Sequence, residues 1–236
     1  MSYAMEYQDR RIAAEAAADA RAAFIRRTYG HLALAILAFT LLEAALLTLV
    51  PGETIMQSLS GRYSWLVVLL AFMGVSWLAN WWAQSNTSPA LQYAGLGLYV
   101  VAEAVIFLPL LYVAAHFSAP DVIPKAGMLT LAVFAGLTFI VFTTRHDFSY
   151  LRAILWIGGF VALGAIVVGI FFGTGMGLWF SVAMVVLASG FILYDTSNVL
   201  HHYRTDQHVA AALALFASVA LLFWYILRIL MAFNRR

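Results

Sequence analysis

The chain has 236 residues, of which 64% are hydrophobic and only 10% are charged. Soluble domains are usually about 45–50% apolar and about 25% charged, so this chain has too few charges to cover a water-facing surface. The composition excludes an ordinary soluble enzyme and a disordered regulator. Its 13 basic and 11 acidic residues also exclude a nucleic-acid binder that neutralises many phosphates. Cysteine is absent, which excludes disulfides and thiolate metal sites. An integral membrane protein remains.

The first thirty residues are polar, rich in alanine and charged, and they lack the apolar stretch of a signal peptide. Within them, Asp9–Arg27 is expected to form an amphiphilic helix, because acids come early and bases late, as suits the helix dipole. This helix is either a solvated lead-in to the first span or a surface that lies on the membrane or binds a partner. We treat residues 1–30 as a cytoplasmic segment and residues 31–236 as one transmembrane domain.

Seven stretches after this segment approach the roughly 20 apolar residues that a helix needs to cross a bilayer. Short loops with turn-forming residues separate them, and they lack the polar–apolar alternation of a membrane barrel strand. The sequence therefore predicts an all-α integral membrane protein, a bundle of seven transmembrane helices. The predicted spans are His31–Val50, Ser64–Gln84, Leu91–His116, Lys125–Thr144, Leu151–Phe172, Gly177–Leu200 and Val209–Phe233.

The distribution of basic residues predicts the orientation of the bundle, because cytoplasmic loops carry an excess of Lys and Arg. With the amino terminus in the cytoplasm, eight bases fall on the cytoplasmic side and four on the other, while Arg228 lies within the last span. Five of the eight precede the first span. The predicted topology has the amino terminus in the cytoplasm and the carboxyl terminus on the opposite side of the membrane.

Three acidic residues fall inside predicted spans: Glu43, Glu103 and Asp195. A charge at the centre of a bilayer costs about 2.5–3.5 kcal/mol on insertion scales, so each acid is expected to have a partner or a role. Glu103 shares a helix face with Gly95 and Tyr99, and it is either a hydrogen-bonded carboxyl or part of an ion or proton path. Glu43, in the outward half of the first span, is expected to be structural.

Asp195 lies near the cytoplasmic end of the sixth span, in the stretch GFILYDTSN of Gly190–Asn198. A carboxyl in such a partly dry place responds to protons, or holds a cation such as Ca²⁺ that stabilises its charge. A functional role is therefore expected for Asp195.

Other patterns do not indicate chemistry. The glycine-rich Gly173–Gly177 follows a membrane helix rather than a strand, which favours a turn over a phosphate loop. His201, His202, Asp206 and His208 have no clear metal-ligand spacing and are expected to lie in a solvated loop. No catalytic motif is present, so the sequence predicts a protein that is not an enzyme.

Three stretches stand out together: FIRRTYG at Phe24–Gly30, AGMLTLAVFAGLTFIVFTTRHDFSYL at Ala126–Leu151, and GFILYDTSN at Gly190–Asn198. Through them the chain resembles the Bax inhibitor-1 family of seven-helix membrane proteins over nearly all of its length after Phe24. In this comparison Tyr194, Asp195 and Thr196 match the family's Tyr-Asp-Thr motif, and Asp147 stands at a family-like place in the loop after the fourth helix.

The resemblance also implies a partner for Asp195. In the family members that leak calcium, a second aspartate on the seventh helix faces the aspartate of the motif. Here Ser218 stands at that position, and Leu221 replaces an asparagine. Two carboxylates share a proton or hold a divalent ion, whereas one carboxylate and a hydroxyl bind both more weakly. Serine at this position is similar to the YccA branch, whose members bind the membrane-anchored AAA protease FtsH and restrain its action on membrane proteins.

The resemblance thus implies a non-enzymatic modulator of membrane-protein quality control that binds FtsH, with the amino-terminal segment as the contact. The first alternative is a pH-sensitive calcium or cation leak centred on Asp195, with Glu103 and Glu43 along the path. The second is a structural subunit of a larger membrane complex. The lipid bilayer is the expected surrounding, and no nucleic acid and no resident cofactor are expected.

Overall fold

The described part of the chain is helical apart from its loops and one isolated backbone bridge. The computed structural model describes residues 12–60, 64–85, 88–173 and 175–234. Seven of its helices are long and apolar enough to cross a membrane, which confirms the predicted fold class. The helices are α1 (Ala18–Leu49), α2 (Gly52–Ser60), α3 (Ser64–Ala83), α4 (Pro89–Phe117), α5 (Val122–Thr144), α6 (Leu151–Phe172), α7 (Leu178–His201) and α8 (His208–Phe233).

The predicted spans agree with the spanning helices to within three residues at every end except the start of α1. One prediction was wrong. The amphiphilic helix expected at Asp9–Arg27 begins only at Ala18 and continues without a break into the first span. The short helix α2, which begins at Gly52, lies between the first and second spans.

The residues just before α1 are tied to the loop between α7 and α8. The Ala13 amide donates a hydrogen bond to the Tyr203 carbonyl oxygen at 2.8 Å, and Ile12 forms an antiparallel bridge with Arg204. Ala13 is fully buried. This pairing uses backbone groups that a longer helix would need, which explains the late start of α1. Residues 1–11, the rest of the predicted cytoplasmic segment, lie outside the described residues.

Helix α8 lies at the centre of the bundle. In its most apolar stretch of 18 residues, 72% of the residues are buried, against 11–44% in the other spanning helices. Five helices pack against it: α1, α3, α4, α5 and α7. Small side chains such as Ala211 and Ala212, both fully buried, allow this close approach. The outer helices present large apolar side chains outward, for example Phe160 and Trp179, as suits contact with lipid.

Helices α3 and α4 cross closely at Gly95. A Cβ atom on Gly95 would lie 2.5 Å from the Ala79 carbonyl oxygen and 2.6 Å from the Ala83 amide nitrogen. Both alanines are buried, with 0% and 1% of their surface exposed. The obstacle is backbone, which a side-chain rotation does not remove. This crossing therefore requires glycine.

The Gly95→Ala variant should unfold at a lower temperature than the parent, because α3 must shift to admit the methyl group. Overpacking of this kind costs about 1–3 kcal/mol. The matched control is Gly97→Ala on the same helix, where a Cβ would meet nothing within 4 Å. Removing a helical glycine there should be neutral or stabilising by about 0.5–1 kcal/mol. Thermal unfolding of the purified proteins in detergent measures both, and equal effects at the two positions would contradict the close crossing.

Candidate functional site

The interface of α7 and α8 brings Asp195 and Ser218 together. The Ser218 hydroxyl donates a hydrogen bond to Oδ2 of Asp195 at 2.5 Å. Both residues are buried, with 9% and 6% of their surface exposed. The two positions that the resemblance implied to be opposite each other are therefore in direct contact. The contact consists of one carboxyl and one hydroxyl, where the calcium-leaking members of the resembled family were expected to have two carboxyls.

A cavity of about 500 Å³ lies beside this contact, with lining residues from α3, α4, α6, α7 and α8. Glu103 and Ser218 both line it, and the Glu103 carboxyl interacts with the hydroxyl of Tyr99, another lining residue. Asp195 is not among the described lining residues. Ser218 therefore stands between the cavity and the Asp195 carboxyl.

Glu43 is a separate buried acid on α1. Only 4% of its surface is exposed, and within the described ranges neither of its carboxyl oxygens has a hydrogen-bond partner. Glu43 is also not among the described residues that line the cavity. The structure thus brings together Glu103, Ser218 and Asp195 but does not bring Glu43 to them.

Asp147 lies in the loop between α5 and α6, where it joins that loop to the end of α7. Its Oδ1 accepts hydrogen bonds from the Ser149 amide at 2.9 Å and the Ser197 hydroxyl at 3.3 Å. The Nε2 atom of His202 lies 3.2 Å from its Oδ2. Partial burial raises the pKa of Asp147, but the hydrogen bonds from Ser149 and His202 outweigh this and hold the pKa below its usual range. Asp147 is therefore a loop anchor.

The Tyr-Asp-Thr motif stands at a junction of two contacts. Asp195 contacts α8, and Ser197, two residues later, contacts the α5–α6 loop. Thr196 between them is fully buried, and Tyr194 is half-buried. The sequence patterns assigned no role to Ser197 and placed His202 in a solvated loop without a partner. The available signal was a hydroxyl beside the motif and a histidine just after the helix end.

The histidine and charged side chains between the end of α7 and the start of α8 each contact a different partner. His202 faces Asp147, Arg204 pairs with Asp206 at 2.7 Å, and His208 lies 3.4 Å from the Tyr93 hydroxyl. Across the described ranges, no three His, Asp or Glu side chains are grouped so that they could hold a metal ion.

Comparison with known proteins identifies the family. The sequence model of the family described as inhibitor of apoptosis-promoting Bax1 matches residues 21–235. The chain belongs to the Bax inhibitor-1 family. The resemblance seen in the three sequence stretches is thereby confirmed.

Three relatives of this Bax inhibitor-1 protein show how widely the family is distributed. An uncharacterized protein of Pseudomonas aeruginosa is 32% identical over 212 residues, 87% of each chain. Protein lifeguard 4 of Mus musculus is 28% identical over 226 residues, 94% of this chain and 90% of its own. An uncharacterized membrane protein of Vibrio cholerae is 34% identical over 124 residues, 52% of this chain and 55% of its own. The protein is thus a multi-pass membrane protein with bacterial relatives.

The Ser218→Ala variant should destabilise the Bax inhibitor-1 bundle, because it leaves the buried Asp195 carboxyl without its donor. An unsatisfied buried polar group costs about 1–3 kcal/mol. The matched control is Ser189→Ala on α7, whose hydroxyl donates only to the Val185 carbonyl oxygen of its own helix.

Thermal unfolding measures Ser218→Ala and its control. Unfolding of Asp195→Ala and of the double variant Asp195→Ala/Ser218→Ala completes a double-mutant cycle with Ser218→Ala, since alanine at either position removes the hydrogen bond. Residues in direct contact show coupling of about 0.5–3 kcal/mol. Additive effects of the two substitutions would contradict the contact between α7 and α8.

Proposed function

We propose that this protein is a non-enzymatic modulator of membrane-protein quality control in a bacterial inner membrane and that it acts by binding the protease FtsH. The observation that carries the proposal is the contact of Asp195 with the hydroxyl of Ser218 in place of a second carboxyl. Serine at this position supports placing the chain with the YccA branch, for which the resemblance implied this activity.

The chemistry of the contact favours a fixed bundle over a gate. Two adjacent carboxylates repel each other when both ionise, so their separation responds to pH. A hydroxyl does not ionise in the physiological range, and Ser218 therefore donates to Asp195 without such repulsion. A constant α7–α8 interface suits a protein that acts by binding a partner.

The proposed contact with FtsH is the amino-terminal segment upstream of Ile12. Support comes from the anchorage of the next residues: Ala13 is buried and bonded to Tyr203 in the α7–α8 loop. A partner that binds the segment would therefore act directly on the loop that leads into the central helix α8. Orientation of this end toward the cytoplasm rests on the basic residues before the first span.

Deletion of residues 2–11 should reduce the FtsH recovered with the affinity-purified protein several-fold and leave the bundle folded. The deletion retains Ile12 and Ala13, and with them the bridge to the α7–α8 loop. The control lacks only Arg235 and Arg236, on the side predicted to be periplasmic. Quantitative mass spectrometry of proteins purified from native membranes measures the amount of FtsH recovered per molecule of the tagged protein. Undiminished FtsH with the shortened chain would refute the proposed contact, and a different stoichiometric complex would favour a structural subunit.

A second candidate function is a cation leak, and the carboxyl and hydroxyl oxygens that line the cavity favour it. The cavity brings Glu103 and the Ser218 hydroxyl to one internal space, and Asp195 lies directly behind Ser218. Carboxyl and hydroxyl oxygens are the ligands that hard cations such as Ca²⁺ prefer. In this second proposal Ca²⁺ is the transported ion, and the contact between α7 and α8 blocks its path through the protein.

Liposomes that contain the parent protein and a calcium dye should show little flux, with weak dependence on pH between about 6 and 8, because one carboxyl cannot form a self-repelling pair. Ser218→Asp should raise the flux or its pH dependence by restoring the pair. Asp195→Asn should barely change the low flux of the parent. Strong parental flux that Asp195→Asn abolishes would show that one carboxyl suffices and would make the leak the primary function.

A further inference from the structure

The cavity beside Ser218 has a positively charged end. Arg228 lines it on α8 ten residues beyond Ser218, which is about 15 Å along a helix. Its guanidinium donates a hydrogen bond to the Met176 carbonyl oxygen at 3.1 Å and lies 5.8 Å from the centre of the Tyr225 ring. Met176 lies two residues before the first residue of α7, so this end of the cavity is next to the start of α7.

Arg228 has no carboxylate counter-charge among the described residues. In those residues the close contacts of a basic with an acidic side chain are Lys125–Asp121, His202–Asp147 and Arg204–Asp206, and none of them involves Arg228. Glu103 also lines the cavity, but it interacts with Tyr99. A guanidinium within a membrane span is costly unless an anion or backbone carbonyl accepts its hydrogen bonds. One carbonyl oxygen leaves most of its five N–H donors for another acceptor.

The walls between the two ends of the cavity are aromatic. Trp65 and Trp224 are stacked with their ring centres 6.2 Å apart, and Phe107 meets Trp224 edge-on at 4.8 Å. A volume of about 500 Å³ falls within the roughly 300–1,000 Å³ that enclose one small ligand. Helices α3 and α6 both line the cavity and make few contacts with each other. The space between these two helices is the entry route that the proposal below assigns to a molecule dissolved in the bilayer.

We propose that this cavity binds a long-chain fatty acid from the bilayer, with its carboxylate on Arg228 and its hydrocarbon chain between the aromatic walls. A guanidinium matches the two oxygens of a carboxylate in a bidentate arrangement. The chain points toward Ser218, so the ligand's negative charge lies about ten residues along α8 from the Asp195–Ser218 contact. The volume accommodates one chain, which favours a fatty acid over a two-chain phospholipid. This proposal does not depend on the proposed binding of FtsH.

The test is equilibrium binding of radiolabelled palmitate to the purified full-length protein in a non-ionic detergent. Binding should be saturable and displaced by unlabelled palmitate, and hexadecanol, which has the same chain length without the charge, should displace it poorly. Equal displacement by hexadecanol would overturn the role of Arg228. Stronger displacement by a single-chain lysophospholipid than by palmitate would overturn the assignment to a fatty acid.

Three variants locate the site. Arg228→Gln should weaken palmitate binding about tenfold or more, as expected for loss of hydrogen bonds to a charged group. Ala217→Phe fills the lined space and should weaken binding although Arg228 is retained. The matched control Arg152→Gln, at the start of α6 and outside the described lining, should bind like the parent.

Ligand stabilisation gives an independent measurement, because a ligand of the folded state raises its unfolding temperature. Palmitate should raise the unfolding temperature of the parent and of Arg152→Gln but not that of Arg228→Gln. This comparison tests the role of Arg228 even if the Ala217→Phe variant does not fold. Parental binding and stabilisation in Arg228→Gln would overturn the proposal.

Discussion

The burial of α8 is the constraint on which the rest of the bundle depends. Lipid is as apolar as the helix surfaces, so association of membrane helices rests on close packing and polar contacts rather than on removal of apolar surface from water. The small side chains of α8, such as Ala211 and Ala212, let five helices approach it. The same helix carries Ser218 and Arg228, so the packing that forms the core also positions both polar ends of the cavity.

Polar contacts divide the bundle into two halves with different properties. On one side of the Asp195–Ser218 contact, Asp147 and His202 join the α5–α6 loop to the end of α7. On the other side lies the cavity, with Arg228 at its far end. A cation that entered there would first meet a positive guanidinium, which opposes its entry. An anion meets a favourable charge at the same place. The arrangement thus fits a low cation flux and an anionic ligand.

The family and the seven spans could be predicted from the sequence because short stretches of the chain determine both. A spanning helix needs about 20 consecutive apolar residues whatever its neighbours are. For this reason the first and last residues of α6, Leu151 and Phe172, were both predicted correctly. The Asp195–Ser218 contact could also be predicted from the sequence. The Tyr-Asp-Thr motif and the matching position on the seventh helix of the family place the two residues on facing helices. Arg228 was visible only as a base within a span, and nothing local indicated the cavity beside it.

The sequence by itself determined the membrane class, the number of spans and the presence of buried acids, since hydrophobic length and charge are properties of short segments. Only the tertiary structure decided which of those polar groups meet. Ile12 and Ala13 pair with residues of the α7–α8 loop and so delay the start of α1. Glu43 stays apart from Glu103. These outcomes depend on contacts between segments far apart in the chain, and no local pattern specifies the relative rotation of packed helices on which such contacts depend.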